Sequence, residues 1–175
     1  MSSNRFYILA GPPGAGKTTL LSQVSSQIAT VPEYARRVLA HERQTGGRAT
    51  GDQDQALFVE RMLELALNDY RRAEGVTLFD RGLPDLLAFC AHYGLPDDHV
   101  RDAVSAHRYH PTVFFLPPWE DIYATDDERL LDFVGAAAFG NLIQSAYEQS
   151  GYDLIDVPKT PPHERAKFIL ERMTL

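Results

Sequence analysis

The sequence predicts an α/β protein, a parallel sheet with helices on both faces and a phosphate-binding loop at the end of its first strand. Three observations carry that expectation. Gly11-Pro12-Pro13-Gly14-Ala15-Gly16-Lys17-Thr18 reads G-x-x-x-x-G-K-[ST]. It stands between a buried-strand pattern, Arg5-Phe6-Tyr7-Ile8-Leu9-Ala10, and a helical continuation, Thr19-Leu20-Leu21-Ser22-Gln23-Val24, which is the strand–loop–helix setting the motif requires. Short apolar or β-branched runs then alternate with helical segments along the whole chain, the pattern of a parallel sheet covered on both sides. Right-handed crossovers make the carboxyl ends of those strands a single ligand edge.

Length and composition set the bounds. The 175 residues, 44% hydrophobic, suit one domain spanning 1–175 with its own core. No apolar run approaches the ~20 residues that cross a bilayer, and Met1-Ser2-Ser3-Asn4 leads directly into the first strand with no room for a signal peptide. The single cysteine, Cys90, excludes an internal disulfide and fits a reducing compartment. The expected location is the cytoplasm, with no membrane partner. A net charge of −7 disfavours a sequence-independent grip on nucleic acid. It leaves room for a small phosphorylated molecule held by a few arginines.

Taken in order, the first strand covers residues 6–10 and the first helix residues 17–27. Ile28-Ala29-Thr30-Val31 reads as a second strand closed by Pro32, which cannot donate to a ladder. Residues 34–44 have helical composition, and the glycines of residues 45–51 mark a flexible connector. Asp52 with Gln55 forms a capping box for a helix over residues 53–74. There Ala56, Val59, Leu63, Ala66, Leu67 and Tyr70 recur at helical spacing, and Gly75 ends the run. Val76-Thr77-Leu78-Phe79-Asp80 is a buried strand ending in an acid. Helices follow over residues 83–93, with Pro84 in the first turn and Gly94 at the end, and over residues 96–107. Thr112-Val113-Phe114-Phe115-Leu116 is the fourth strand, and an acidic loop runs over residues 119–127. Thr125-Asp126-Asp127-Glu128 caps a helix reaching residue 149, residues 152–157 are the fifth strand, and a last helix starts at Pro161 or Pro162.

The phosphate loop sets the chemistry. Its backbone N–H groups, from Gly11, Pro12, Pro13, Gly14, Ala15 and Gly16 through Lys17, Thr18 and Thr19 (the prolines giving only their backbone shape), would surround the phosphates of a bound nucleotide. Lys17 would reach the β- and γ-phosphates, and the Thr18 hydroxyl would ligate Mg²⁺. No guanine-specific N-K-x-D run occurs in the sequence, which points to ATP over GTP. Asp80, after four apolar residues, suits Mg²⁺ or its waters, and alternatively caps the following helix. Arg81 suits a phosphate oxygen, and alternatively pairs with Asp80 or Glu33. Glu33, just past the second strand, is the preferred proton acceptor with Asp80 on the metal, though the two carboxylates can exchange roles. Arg129, one turn into the helix after the acidic loop, is either a lid arginine or a partner of Asp126 or Glu128. His107 and His110 have only loose metal spacing, Cys90 lies on an apolar helix face, Arg36 and Arg37 either hold an anionic substrate or, the preferred reading, sit at solvated helix positions, and Trp119 packs in its loop or borders a pocket.

Val31-Pro32-Glu33-Tyr34-Ala35-Arg36, Asp80-Arg81-Gly82-Leu83-Pro84-Asp85, the helix start at Asp126-Asp127-Glu128-Arg129 and Gly151-Tyr152-Asp153-Leu154-Ile155-Asp156-Val157-Pro158 resemble one group. These are the small P-loop ATPases grouped with AAA domains and close to the kinase domain of the NAD-metabolism regulator that phosphorylates ribosylnicotinamide. The resemblance implies a P-loop NTPase fold, a three-layer α/β/α sandwich on a five-stranded parallel sheet in the kinase-like order 2-3-1-4-5. It also implies that Asp80-Arg81 corresponds to the Asp-Arg pair of nucleoside and nucleotide kinases, that Arg129 belongs to a lid-like segment around residues 119–135, and that Pro158 to Thr160 lies near adenine. The expected activity is ATP- and Mg²⁺-dependent transfer of the γ-phosphoryl group to a small, nucleoside-like hydroxylated acceptor. The alternative is a nucleotide-dependent switch, an ATPase or GTPase acting on a protein partner.

Overall fold

The computed structural model describes residues 5–124 and 131–173. Its centre is a five-stranded, all-parallel sheet in the order β2-β3-β1-β4-β5. The strands are β1 (Phe6–Ala10), β2 (Ala29–Val31), β3 (Thr77–Asp80), β4 (Thr112–Phe115) and β5 (Asp153–Asp156). β1 pairs with β3 through Phe6↔Thr77 to Leu9↔Asp80 and with β4 through Ile8↔Val113 to Ala10↔Phe115. This register brings the end of β1, where the phosphate loop begins, level with Asp80 on β3.

The strands alternate their side chains between two cores. Ile8, Ala10, Phe79, Val113 and Phe115 face a core shared with α2 (Tyr34–Thr45), α3 (Gln55–Arg72), α4 (Leu83–Tyr93), α5 (Asp98–Ala106) and α6 (Phe133–Gln149). Tyr7, Leu9, Leu78 and Phe114 face a smaller core with α1 (Lys17–Val24) and α7 (Pro162–Leu170). Three layers result. Among the described residues no helix is long and apolar enough to cross a membrane.

Several element ends differ from expectation, each for a local reason. α1 stops at Val24 because the N–H groups of Gln27 and Ile28 both turn back to the Val24 carbonyl, at 2.9 and 3.1 Å. α3 is capped by Asp54, not Asp52. The Asp54 carboxylate accepts from Leu57 N at 3.1 Å, while the Gln55 side chain donates to the Gly51 carbonyl. α3 ends at Arg72 with Ala73 extended, so Gly75, at φ +66°, turns the chain into β3 and does not cap the helix. α6 begins at Phe133 under a cap from Asp132, whose carboxylate accepts from Gly135 N at 2.7 Å. The capping box expected at 125–128, and Arg129 with it, lie outside the described residues.

Candidate active site

The loop between β1 and α1 carries Gly11, Gly14 and Gly16 at φ +138°, +78° and +89°, conformations that side-chain-bearing residues rarely adopt. Gly14 has a second constraint, since a Cβ there would stand 2.5 Å from the Tyr123 ring. Lys17 is 6% exposed and folds over the loop, donating from Nζ to the Gly11 and Pro12 carbonyls at 3.0 and 2.8 Å. Burial and the neighbouring Arg81 charge lower its ammonium to about 8, against the pull of Asp80, Glu33 and Asp85.

At the first turn of α1, Thr18 Oγ1 donates to Asp80 Oδ2 at 3.5 Å. Asp80 is 2% exposed, and its other oxygen, Oδ1, is buried without a hydrogen-bond partner. Burial, reinforced by the Glu33 charge, pushes this carboxyl up to about 6 despite Lys17 and Arg81. A hydroxyl beside a carboxylate with an unmet oxygen, at the lip of a phosphate loop, fits a hard divalent cation completed by phosphates and water. Among the described residues no group of three His, Cys, Asp or Glu forms a metal cage.

Arg81 and Glu33 do meet, as a tight pair. Arg81 Nε donates to Glu33 Oε1 at 2.7 Å, and its Nη1 donates to Asp85 Oδ1 at 2.8 Å and to the Gly11 carbonyl at 3.2 Å. Glu33 also lies 3.5 Å from Arg36 Nε. Burial would raise the Glu33 carboxyl, but Arg81 and Lys17 outweigh it and hold Glu33 below the usual range. Burial likewise opposes the Arg81 charge, and Glu33 with Asp85 keeps the guanidinium well above its ordinary value. The ion pair to Glu33 that the sequence offered for Arg81 is formed.

The residues behind this pair were not singled out by sequence reasoning. Asp85 is fully buried. Its Oδ2 accepts from Gly82 N at 3.0 Å and from the Tyr147 hydroxyl, while the Tyr34 hydroxyl donates to the Gly82 carbonyl at 3.1 Å. The one signal was its place four residues after Arg81 at a helix start. Arg165 on α7 had no signal. It is 4% exposed, yet Nη2 donates to the Ala15 carbonyl of the phosphate loop at 3.0 Å, with its guanidinium 5.5 Å from the Trp119 ring.

One cavity of about 900 Å³ is lined by Lys17, Thr18, Glu33, Arg36, Arg81 and Arg165 of these groups. At one end lie the phosphate loop, Trp119, Ile122, Thr160, Pro161 and Arg165. At the other, past Glu33 and Arg81, it opens into a chamber walled by Leu39, Phe58, Phe89, Tyr93 and Phe139, with Arg36, Arg43, Thr50, Asp52 and His92 between them. The rings pack edge to face, Phe89 with Phe139 at 4.9 Å and Phe58 with Phe89 at 6.1 Å. Trp119 therefore borders the pocket. Arg36 also faces it, whereas Arg37 pairs with Asp69 at 2.6 Å on α3. His107, His110 and Cys90 lie elsewhere. His107 Nδ1 lies 3.0 Å from the Ala103 carbonyl, His110 stacks on Tyr7, and Cys90 is core.

A family model described as an AAA domain matches residues 6–165. No curated protein matches the chain significantly by sequence. Among solved structures, the NadR protein in complex with NR is 16% identical with a TM-score of 0.73, covering 97% of this chain and 52% of its own, so this chain spans about half of that protein. Deoxyadenosine kinase from M. mycoides is 14% identical with a TM-score of 0.67, covering 95% and 97%. Shikimate kinase from Acinetobacter baumannii in complex with shikimate is 16% identical with a TM-score of 0.62, covering 95% and 90%. The observed strand order and layers are those of this P-loop kinase fold.

Proposed function

The chain belongs to the AAA domain family, and from that premise and its fold we propose that it is an ATP- and Mg²⁺-dependent kinase acting on a small hydroxylated, nucleoside-like acceptor. The observation that carries this is the shape of the cavity. A switch needs a nucleotide groove beside a surface for its partner, but here the groove continues past Glu33 and Arg81 into a ring-lined chamber. Such a chamber suits a molecule with a flat or apolar body and a hydroxyl presented toward the phosphate loop.

In this reading the loop N–H groups and Lys17 hold the β- and γ-phosphates, and the Lys17 ammonium leaves the Gly11 and Pro12 carbonyls to do so. Thr18 and Asp80 would hold Mg²⁺, which supplies charge neutralisation on the phosphates when bound. The acceptor hydroxyl oxygen attacks the γ-phosphorus, the bond to the β-bridging oxygen breaks, and ADP leaves. Glu33, kept ionised by Arg81 and Lys17, orients the hydroxyl and accepts its proton. The ring walls and the segment around residues 119–135, acting as a lid, exclude water. The test is a phosphoryl-transfer assay with MgATP across nucleosides, sugars and small hydroxy acids. Acceptor-dependent ADP release is expected, whereas slow hydrolysis that no acceptor stimulates would overturn the kinase reading.

A further inference from the structure

Arg165 is a buried cation beside which no carboxylate stands among the described residues. Its Nε is buried without a hydrogen-bond partner, and no salt bridge is formed by its guanidinium among the described residues. Its contacts are the hydrogen bond from Nη2 to the Ala15 carbonyl of the phosphate loop and the Trp119 ring, 5.5 Å away. A peptide unit is planar and trans, so its C=O and N–H point in opposite directions. Holding the Ala15 oxygen toward Arg165 therefore fixes the Gly16 N–H on the opposite side of that peptide. Gly16 also lies directly beneath this side chain, where a Cβ would come within 2.9 Å of Nη1. Burying an unpaired guanidinium destabilises a fold, so its retention at this spot calls for an anion that the described residues do not supply.

We infer that Arg165 is a positioning residue for the nucleotide. It fixes the Ala15–Gly16 peptide of the phosphate loop and contributes a buried positive charge that a polyphosphate completes. The inference rests on the nucleotide-binding reading of the loop but not on the identity of the acceptor. It predicts opposite signs for stability and binding, which a purely structural arginine would not give.

The experiment compares the full-length wild type with Arg165→Met and Arg165→Lys, measuring MgATP affinity by calorimetry and the thermal unfolding midpoint without nucleotide. Arg165→Met keeps the aliphatic packing and removes the charge. It should unfold at the wild-type temperature or above, yet bind MgATP about tenfold or more weakly, as expected for loss of a charge-assisted hydrogen bond. Arg165→Lys should keep the unfolding midpoint and recover part of the affinity, because a point charge lacks the guanidinium fork. Unchanged MgATP affinity in either folded variant would overturn the inference. So would a midpoint that falls in parallel with affinity in both. If the methionine variant does not fold, the lysine variant alone decides on the same criterion. A wild type that binds no MgATP would instead remove the nucleotide reading beneath it.

Discussion

Arg81 has a left-handed backbone, at φ +73°, alone among the described non-glycine residues. Such a conformation costs about 1–3 kcal/mol and persists only where the surroundings over-determine it. Here they do. The Arg81 N–H donates to the Leu9 carbonyl at 3.0 Å, and the guanidinium is gripped by Glu33, Asp85 and the Gly11 carbonyl. The chain contains a second arginine–aspartate pair four residues apart, Arg101 with Asp97 at 2.6 Å, but there the arginine is exposed and the aspartate only half-buried. The same two charged groups in two environments should give unequal energies. Arg81→Ala strands the fully buried Asp85 and is expected to cost about 3–5 kcal/mol, whereas Arg101→Ala should leave the urea midpoint nearly unmoved. Equilibrium denaturation of the two variants checks this, and equal midpoints would mean that the Arg81 network carries no special stability. An activity loss in Arg81→Ala must accordingly be measured against the folded fraction before it is read as catalysis.

The elements show what pattern alone can and cannot reveal. β1 and β3 were legible because a strand buried on both faces is an uninterrupted apolar run. α3 was legible because its apolar positions repeat with the helical period. Its start was not, because Asp52 and Asp54 both satisfy the local rule for a cap. The choice depended on where the connector runs, and Gly51 packs so closely on the Tyr93 hydroxyl that a Cβ there would lie 2.5 Å away. The site divides in the same manner. The phosphate loop is contiguous and was readable from Gly11 to Thr18. Asp85 meets Tyr147 across 62 residues and Arg165 meets Ala15 across 150, and such partners exist only after folding. The corrected cap is testable. Asp54→Ala should cost about 1 kcal/mol, while Asp52→Ala should stay within about 0.5 kcal/mol. Urea midpoints at one protein concentration distinguish them, and the reverse order would reinstate Asp52.

At the scale of the molecule, the sheet does two jobs with its two faces. The smaller core fixes α1 and α7, and with them the phosphate loop and Arg165. The larger core fixes α3, α4 and α6, whose outer rings become the walls of the chamber. Ligand and fold would therefore be coupled, because a nucleotide bound at the strand ends as proposed would touch elements from both cores. At a MgATP concentration a hundred times its dissociation constant, the folded state should gain about 2.7 kcal/mol. For a chain of this size that corresponds to a rise of roughly 5–10 °C in the unfolding midpoint. Chelating the metal should reduce the rise, since Thr18 and Asp80 would then face the phosphates without a cation between them. Lys17→Ala should keep its cooperative unfolding transition but lose most of the rise, because the alanine takes away a cation that the phosphates need and leaves both cores untouched. Calorimetric scans of the two proteins, with and without MgATP, decide it. A variant that gains as much as the wild type would show that the nucleotide is held without the phosphate loop, and the proposed site would have to be sought elsewhere along the cavity.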